Sequence, residues 1–236
     1  VYEFQRNILH YSQNDSNLKA VKKTRRRLRK KVQFLYTVDL GTGGEKRAKN
    51  YWLSVHKAEK KISIPHKYGK ILYSLLRYYS VTNVLEIGTG LGVSTLYMAM
   101  GNSSAKILTL EGCPQKSGFA EDLFNELGFS QINVKTGGFD DTLPSVLKES
   151  EFPLDLVFID GNHSKQSTIK YFEKVLPKLH NDSIIVLDDI HWSKGMSDAW
   201  EIIKNNENVT VTIDLFRLGI VFIKKELSKQ NFVIRY

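Results

Sequence analysis

From Thr82 onward, short runs of apolar and β-branched residues alternate with longer stretches that carry apolar positions at three- and four-residue spacing. Short runs bounded by turn formers read as strands, and the longer periodic stretches as helices. Strands are predicted over 83–87, 106–111, 132–135, 155–159, 183–188, 209–213 and 220–224. Helices are predicted over 94–100, 114–127, 142–148, 165–179 and 194–203. Repeated strand–helix–strand units imply a mostly parallel sheet covered by helices on both faces, with ligands beyond the carboxyl ends of the strands. The last two strands lie too close together for a helical crossover and should form an antiparallel hairpin. The expected fold class is therefore α/β: a Rossmann-like, seven-stranded, three-layer α/β/α architecture with an antiparallel C-terminal hairpin.

Before Thr82 the pattern is less regular. Residues 45–62 mix Trp52, Leu53, Val55 and Ala58 with Lys and Glu, which predicts an amphipathic helix. Pro65 is placed to begin another, with Ile71, Leu72, Leu75, Leu76 and Tyr79 on its apolar face. The chain thus divides into a mainly helical appendage, 1–64, and a main domain, 65–236. The stretch Val38-Asp39-Leu40-Gly41-Thr42-Gly43-Gly44 has the look of a ligand-binding glycine loop, but no acidic strand end follows at a useful distance, so it is read as an ordinary loop.

Charge sharpens this division. The 236 residues carry a formal net charge of +9. Residues 1–70 hold 18 basic and 5 acidic side chains (+13), leaving 16 basic and 20 acidic for 71–236 (−4). Nine of the positive charges fall within Lys19–Lys31, KAVKKTRRRLRKK. Such a run is a solvated helix face covering acidic surface, or an attractor for polyanions such as nucleic acid. It lacks interleaved aromatics, so nucleic acid is retained only as a less favoured partner. With Cys113 as the single cysteine, an internal disulfide framework and cysteine-based metal clusters are excluded, and a reducing, cytoplasmic location is the expectation. No apolar run is long enough to be a transmembrane segment.

Chemistry concentrates at the predicted strand ends. Val84-Leu85-Glu86-Ile87-Gly88-Thr89-Gly90-Leu91-Gly92 is a buried strand feeding a GxGxG turn and a helix, which offers amide donors to a cofactor. The motif alone does not choose between a dinucleotide and S-adenosylmethionine. Glu111 ends the next strand, 19 residues beyond Gly92, where a carboxylate can accept ribose hydroxyls. Gly137-Gly138-Phe139-Asp140 follows the third strand and sets an aromatic where an adenine would lie, although Phe139 also suits an ordinary core. Asp160 ends the fourth strand and Asp188-Asp189 the fifth. Carboxylates brought together there need a shared proton or a cation.

These ordered motifs, VLEIGTGLGVST, TLEG, GGFDDTLP, DLVFIDGNH and IIVLDDIHW, resemble those of class I S-adenosylmethionine-dependent methyltransferases over roughly residues 65–225. The similarity is greatest to small-molecule O-methyltransferases of the catechol and caffeoyl-coenzyme A type and their bacterial relatives. The resemblance implies S-adenosylmethionine as cofactor, held by Glu86, Gly88, Thr89, Gly90, Gly92, Glu111, Phe139 and Asp160. It also implies Mg2+ or another divalent cation on Asp160, Asp188 and Asp189, although Asp189 stands where the family has asparagine. Hydrogen-bonded carboxylates without metal are the other reading. His163 occupies the family's general-base position, and imidazole exchanges its proton near neutral pH. His191 is a second candidate for substrate contact or for assisting His163, while Asn162 either forms a turn or donates to substrate.

The reaction implied is O-methylation of a small hydroxylated acceptor, with a homodimer as the family's frequent state. Two alternatives stand beside it: metal-independent N-methylation of a small molecule or RNA, and a non-catalytic cofactor-binding domain. Asp160-Gly161-Asn162-His163 departs from the polar-Pro-Pro-aromatic pattern of nucleobase amino-methylating enzymes. A dehydrogenase would explain the glycines and Glu111, but not Asp188-Asp189 or the terminal hairpin.

Overall fold

A computed structural model describes residues 2–11, 15–39, 49–150 and 153–236. The chain opens with α1 (Tyr2–Phe4) and a π-helical turn (Gln5–Leu9), followed by α2 (Ser16–Leu28), β1 (Phe34–Asp39), β2 (Lys49–Ser54), α3 (Val55–Lys61) and α4 (His66–Tyr78). Strands and helices then alternate through β3 (Asn83–Ile87), α5 (Val93–Gly101), β4 (Lys106–Glu111), α6 (Pro114–Glu126), β5 (Ile132–Thr136) and α7 (Phe139–Glu149). They continue through β6 (Leu154–Ile159), α8 (Lys165–Val175), β7 (Leu179–Leu187) and α9 (Lys194–Asn205) to β8 (Val211–Asp214), β9 (Gly219–Phe222) and β10 (Gln230–Val233). Among the described residues, no helix is long and apolar enough to cross a membrane.

The main sheet runs β10-β8-β9-β7-β6-β3-β4-β5. Contacts among β3 to β7 are parallel, and β9 lies antiparallel to both β7 and β8. Successive side chains on a strand face opposite ways. Thus Val84, Leu156, Phe158, Ile184 and Val186 join a cluster with α4, α5 and α6, while Leu85, Val157, Ile159, Ile185 and Leu187 join one with α7, α8 and α9. Burial on both faces explains why these strands read as nearly continuous apolar runs. The expected three-layer, mostly parallel architecture with its terminal hairpin is present.

Strand order reverses between β3 and β6, which opens a crevice at their carboxyl ends. The Asp160 amide donates to the Ile87 carbonyl at 2.8 Å and the Asp188 amide to that of Ile159 at 2.9 Å, so three successive chemical motifs lie side by side.

Two expectations change. The sheet has an eighth strand, because β10 pairs parallel with β8 at one edge. Its sequence, Gln-Asn-Phe-Val, lacks the apolar run of an interior strand, as an edge position allows. In the appendage, residues 49–54 are not helical. They pair antiparallel with β1, from Phe34 opposite Ser54 to Asp39 opposite Lys49, and only Val55–Lys61 forms a helix. The aromatic and branched residues of Phe34–Val38 and Tyr51–Leu53 suit a strand once each has the other as partner. Val38 and Asp39 end β1; residues 40–44 of the glycine-rich stretch lie outside the described residues.

The basic run lies on a one-sided helix. Leu18, Val21, Thr24, Arg25 and Leu28 are buried at helical spacing, and the remaining charges point outward. Its apolar residues share a cluster with α4 and α5 across the 64/65 division. Arg27 pairs with Glu126 of α6, whereas Arg25 and Arg29 share buried Glu59.

Candidate active site

The glycine loop is shaped by close approach. Gly88 has φ +110°, and an added Cβ would meet the Asp160 carbonyl oxygen at 2.1 Å, so only glycine lets β3 turn beside the end of β6. The Gly88 and Thr89 amides both donate to the Leu110 carbonyl, at 2.9 and 3.1 Å, tying the loop to β4. Beneath the loop, Glu86 accepts hydrogen bonds from Ser94 and Thr95 at 2.5 Å each, and from Thr109 at 2.7 Å. Burial pushes its carboxyl up to about 7, against the three hydroxyls, which favour the ionised form.

A cavity of about 430 Å3 opens where these elements meet. Gly88, Thr89, Gly90, Glu111, Phe139, Asp160, Asn162 and His163 all line it, so most of the residues singled out from sequence converge. Glu86 and Gly92 do not reach the cavity; Glu86 supports the loop, and Gly92 N-caps α5 against the Phe124 ring. Glu111 accepts from the amides of Gly90 at 2.8 Å and Cys113 at 2.9 Å. Burial raises its carboxyl, opposed by Lys116 and by neighbouring backbone amides. Phe139 packs edge-on against Tyr171, their centroids 6.0 Å apart.

Sequence reading missed the opposite wall. Val38 and Tyr51 of the β1–β2 hairpin, with Ile62, Ser63 and Ile64 of the α3–α4 connection, close the cavity from the appendage side. Ser63 Oγ is buried and has no hydrogen-bond partner among the described residues. A glycine loop, an acidic strand end, an aromatic flank and an unpaired hydroxyl on one cavity fit an adenosine-bearing ligand with a polar tail. None of the appendage residues carried a local motif, because their role comes from folding back over the sheet.

The carboxylates behave differently from the sequence expectation. Asp188 is fully buried and accepts two parallel bonds from Arg217, Nε to Oδ1 at 2.8 Å and Nη2 to Oδ2 at 2.6 Å. The same Nη2 lies 3.4 Å from Asp189 Oδ1. Burial works against the Arg217 charge, but Asp188 outweighs it and the guanidinium is held firmly ionised. Asp160 is raised well above the ordinary carboxylate range by burial, then by the charge of Asp188 and its hydrogen bond to that residue. Asp189 is raised by burial and by Asp188, with Arg217 and His163 opposing. The Arg217 guanidinium and the hydrogen bond between Asp160 and Asp188 therefore already engage these oxygens.

This corrects the expectation of Mg2+ or another divalent ion on Asp160, Asp188 and Asp189. Among the described residues no group of three or more His, Cys, Asp or Glu side chains is disposed to hold a metal ion. The physical reason is Arg217, whose cationic fork bonds both oxygens of Asp188 and sets a positive charge where a metal ion would have to sit.

His163 lines the cavity, with Nε2 3.6 Å from Asp160 Oδ1 and 4.0 Å from Asp189 Oδ2. His191 does not reach the cavity; its Nε2 lies 2.8 Å from Asp214 Oδ2 and its ring packs 5.8 Å from that of Phe216. Asn162 adopts φ +55°, and its amide donates to Ser167 at 2.8 Å and Tyr171 at 3.3 Å, so it shapes the turn after β6.

Comparison with known proteins agrees with this geometry. Residues 85–190 match a family model described as a methyltransferase domain. A catechol O-methyltransferase of Niastella koreensis is 32% identical over 131 residues, covering 55% of this chain and 58% of that protein. One from Mycobacterium tuberculosis is 30% identical over 132 residues, with the same coverage. The match thus spans a little over half the length of these curated relatives. An O-methyltransferase from Bacillus cereus, solved in complex with S-adenosylhomocysteine, superposes with a TM-score of 0.63 at 20% identity over 94% of this chain and 95% of that one. An S-adenosylhomocysteine-bound methyltransferase from Podospora anserina gives 0.66 at 16% identity over 95% of each chain. The strand-end motifs therefore fall within a stretch, residues 85–190, that matches a methyltransferase domain, and over about 55% of its length the chain is similar to catechol O-methyltransferases.

Proposed function

We propose that this protein is an S-adenosylmethionine-dependent methyltransferase that methylates an oxygen of a small hydroxylated molecule. The observation that carries the reading is one cavity, at the reversal of strand order, on which the glycine loop, Glu111, Asp160 and His163 converge. The catechol O-methyltransferase names of the matched relatives support the acceptor class.

S-adenosylmethionine, when bound, supplies an electrophilic methyl group on a sulfonium. The chain's residues have two tasks, placement and proton handling. Glu111 would accept ribose hydroxyls, Phe139 would flank the adenine, and the polar amino-acid end would lie along the glycine loop, within reach of the unpaired Ser63 Oγ. His163, which lines the cavity with Nε2 3.6 Å from Asp160 and 4.0 Å from Asp189, takes the acceptor's hydroxyl proton on its imidazole. Holding the acceptor oxygen in line with the methyl carbon supplies most of the acceleration, as positioning does in bimolecular transfers generally.

Calorimetry tests the reading. S-adenosylmethionine and S-adenosylhomocysteine should bind and NAD should not. Glu111→Ala should weaken S-adenosylhomocysteine by about 2 kcal/mol, or about thirtyfold, the usual worth of hydrogen bonds to a charged group. Heat from NAD with none from S-adenosylmethionine would overturn the proposal.

A further inference from the structure

We propose that Arg217 is a built-in cation that stands in place of a divalent ion on the acceptor side of this site. It pairs with Asp188, offsets part of the charge of Asp189, and so positions Asp160 and His163 at the cavity wall. This inference rests on the methyl-transfer reading for its purpose, but its geometry stands independently.

The fold delivers Arg217 deliberately to the strand-end carboxylates. It sits in the tight connection between β8 and β9, where Phe216 adopts φ +71°, a left-handed conformation unusual for a bulky aromatic residue. That connection is fastened at several points. The Phe216 amide donates to Asp214 Oδ1 at 2.8 Å, the Arg217 amide to the Leu215 carbonyl at 2.9 Å, and the Leu215 amide to the Leu218 carbonyl at 2.9 Å. The Ile190 amide in turn donates to the Arg217 carbonyl at 3.2 Å, which locks the hairpin turn to the loop after β7. Asp189, on that loop, is also left-handed at φ +54°. Two constrained turns therefore face each other, and the side chain between them makes the bidentate pair with Asp188.

Charge explains what this accomplishes. Three carboxyl groups meet at adjoining strand ends, an arrangement that repels itself unless positive charge is supplied. A divalent ion would supply it through bonds to the oxygens. Arg217 supplies it through hydrogen bonds, with a planar fork that matches one carboxylate and reaches a second. A guanidinium cannot leave, so the cluster stays assembled without any dissolved ion. Asp160 lies on the cavity side of this cluster, 3.6 Å from His163, and keeps its place because Asp188 is anchored behind it. Arg217 does not line the cavity; it acts through the carboxylates and is a positioning residue.

The test uses Mn2+ as probe, followed by the free-ion electron paramagnetic resonance signal and by thermal unfolding, on the full chain. The wild type should leave the Mn2+ signal and its unfolding temperature unchanged at millimolar ion. Arg217→Met, which keeps length without charge, should unfold at lower temperature and take up one Mn2+ per chain. Its affinity should exceed that of the wild type at least tenfold, and bound ion should raise its unfolding temperature. Adding Asp188→Asn should abolish the uptake, whereas Arg217→Lys should remain insensitive to Mn2+. Stoichiometric Mn2+ binding by the wild type, which needs no variant to observe, would overturn the proposal. So would a folded Arg217→Met protein that takes up no more Mn2+ than the wild type. Titrating S-adenosylhomocysteine into the same wild-type sample separates the two readings. Failure to bind it, with no Mn2+ uptake, counts against methyl transfer while still supporting Arg217 as the resident cation.

Discussion

Gly88 shows how a single residue couples the fold to the site. Its absent side chain lets the end of β3 lie against the Asp160 carbonyl, 2.1 Å from where a Cβ would stand, and its φ of +110° is one that other residues resist. Gly88→Ala combines a backbone clash with left-handed strain, each worth about 1–3 kcal/mol. Urea unfolding should show a loss of about 2–5 kcal/mol together with weakened S-adenosylhomocysteine binding. Gly90→Ala meets no atom within 4 Å, so its stability loss should be the smaller of the two. Both glycines and Glu111 were singled out from sequence and lie on the cavity wall, because a strand–turn–helix motif is local and carries its geometry with it. It missed Arg217 because an arginine between two short strands has no local signature; only its partner 29 residues away gives it a meaning.

Among the elements, α4 is bonded to α5 at His66, beneath the charges of α2, and this junction carries a pH dependence. The Tyr97 hydroxyl lies 2.6 Å from His66 Nδ1, and burial with the charges of Lys22, Lys70 and Arg25 lowers the imidazole from 6.5 to about 4. A depressed folded-state value means that the unfolded chain binds the proton first on acidification. The neutral ring's contribution is thus present above pH 6.5 and is lost as pH falls towards about 4. Thermal melts should decline across that window, and His66→Asn, which keeps an acceptor but cannot titrate, should flatten the decline. The strands β3 and β4 were legible with their observed bounds, since turn formers enclose each apolar run. The β1–β2 pair was not, because a short stretch such as Asn50-Tyr51-Trp52-Leu53 satisfies a helical pattern until a partner strand is known.

At the scale of the whole molecule, the basic appendage is joined to the cavity by a buried ion pair. Arg25 donates from Nε to Glu59 at 2.6 Å, and from Nη1 to the Ile64 carbonyl at 2.8 Å and the Tyr97 hydroxyl at 3.3 Å. Ile64 and Ser63 beside it form the cavity wall, so the same guanidinium that docks α2 also sets that wall. Breaking a buried pair costs about 3–5 kcal/mol, and Arg29 remains on Glu59 to soften the loss. Arg25→Met should therefore destabilise the chain by about 3 kcal/mol in urea unfolding. It should also weaken S-adenosylhomocysteine severalfold, although residue 25 touches no ligand. The amino-acid order alone determined the alternation of strands and helices, the glycine loop and the acidic strand ends, because each depends on neighbours within one or two turns of chain, and that alternation in turn implies parallel pairing. Tertiary structure alone decided which cation those acidic ends would have. The antiparallel pairing of β7 with β9 brings the turn before β9 beside the loop after β7, where the Ile190 amide donates to the Arg217 carbonyl, and a register between distant strands is chosen by packing that no local pattern records.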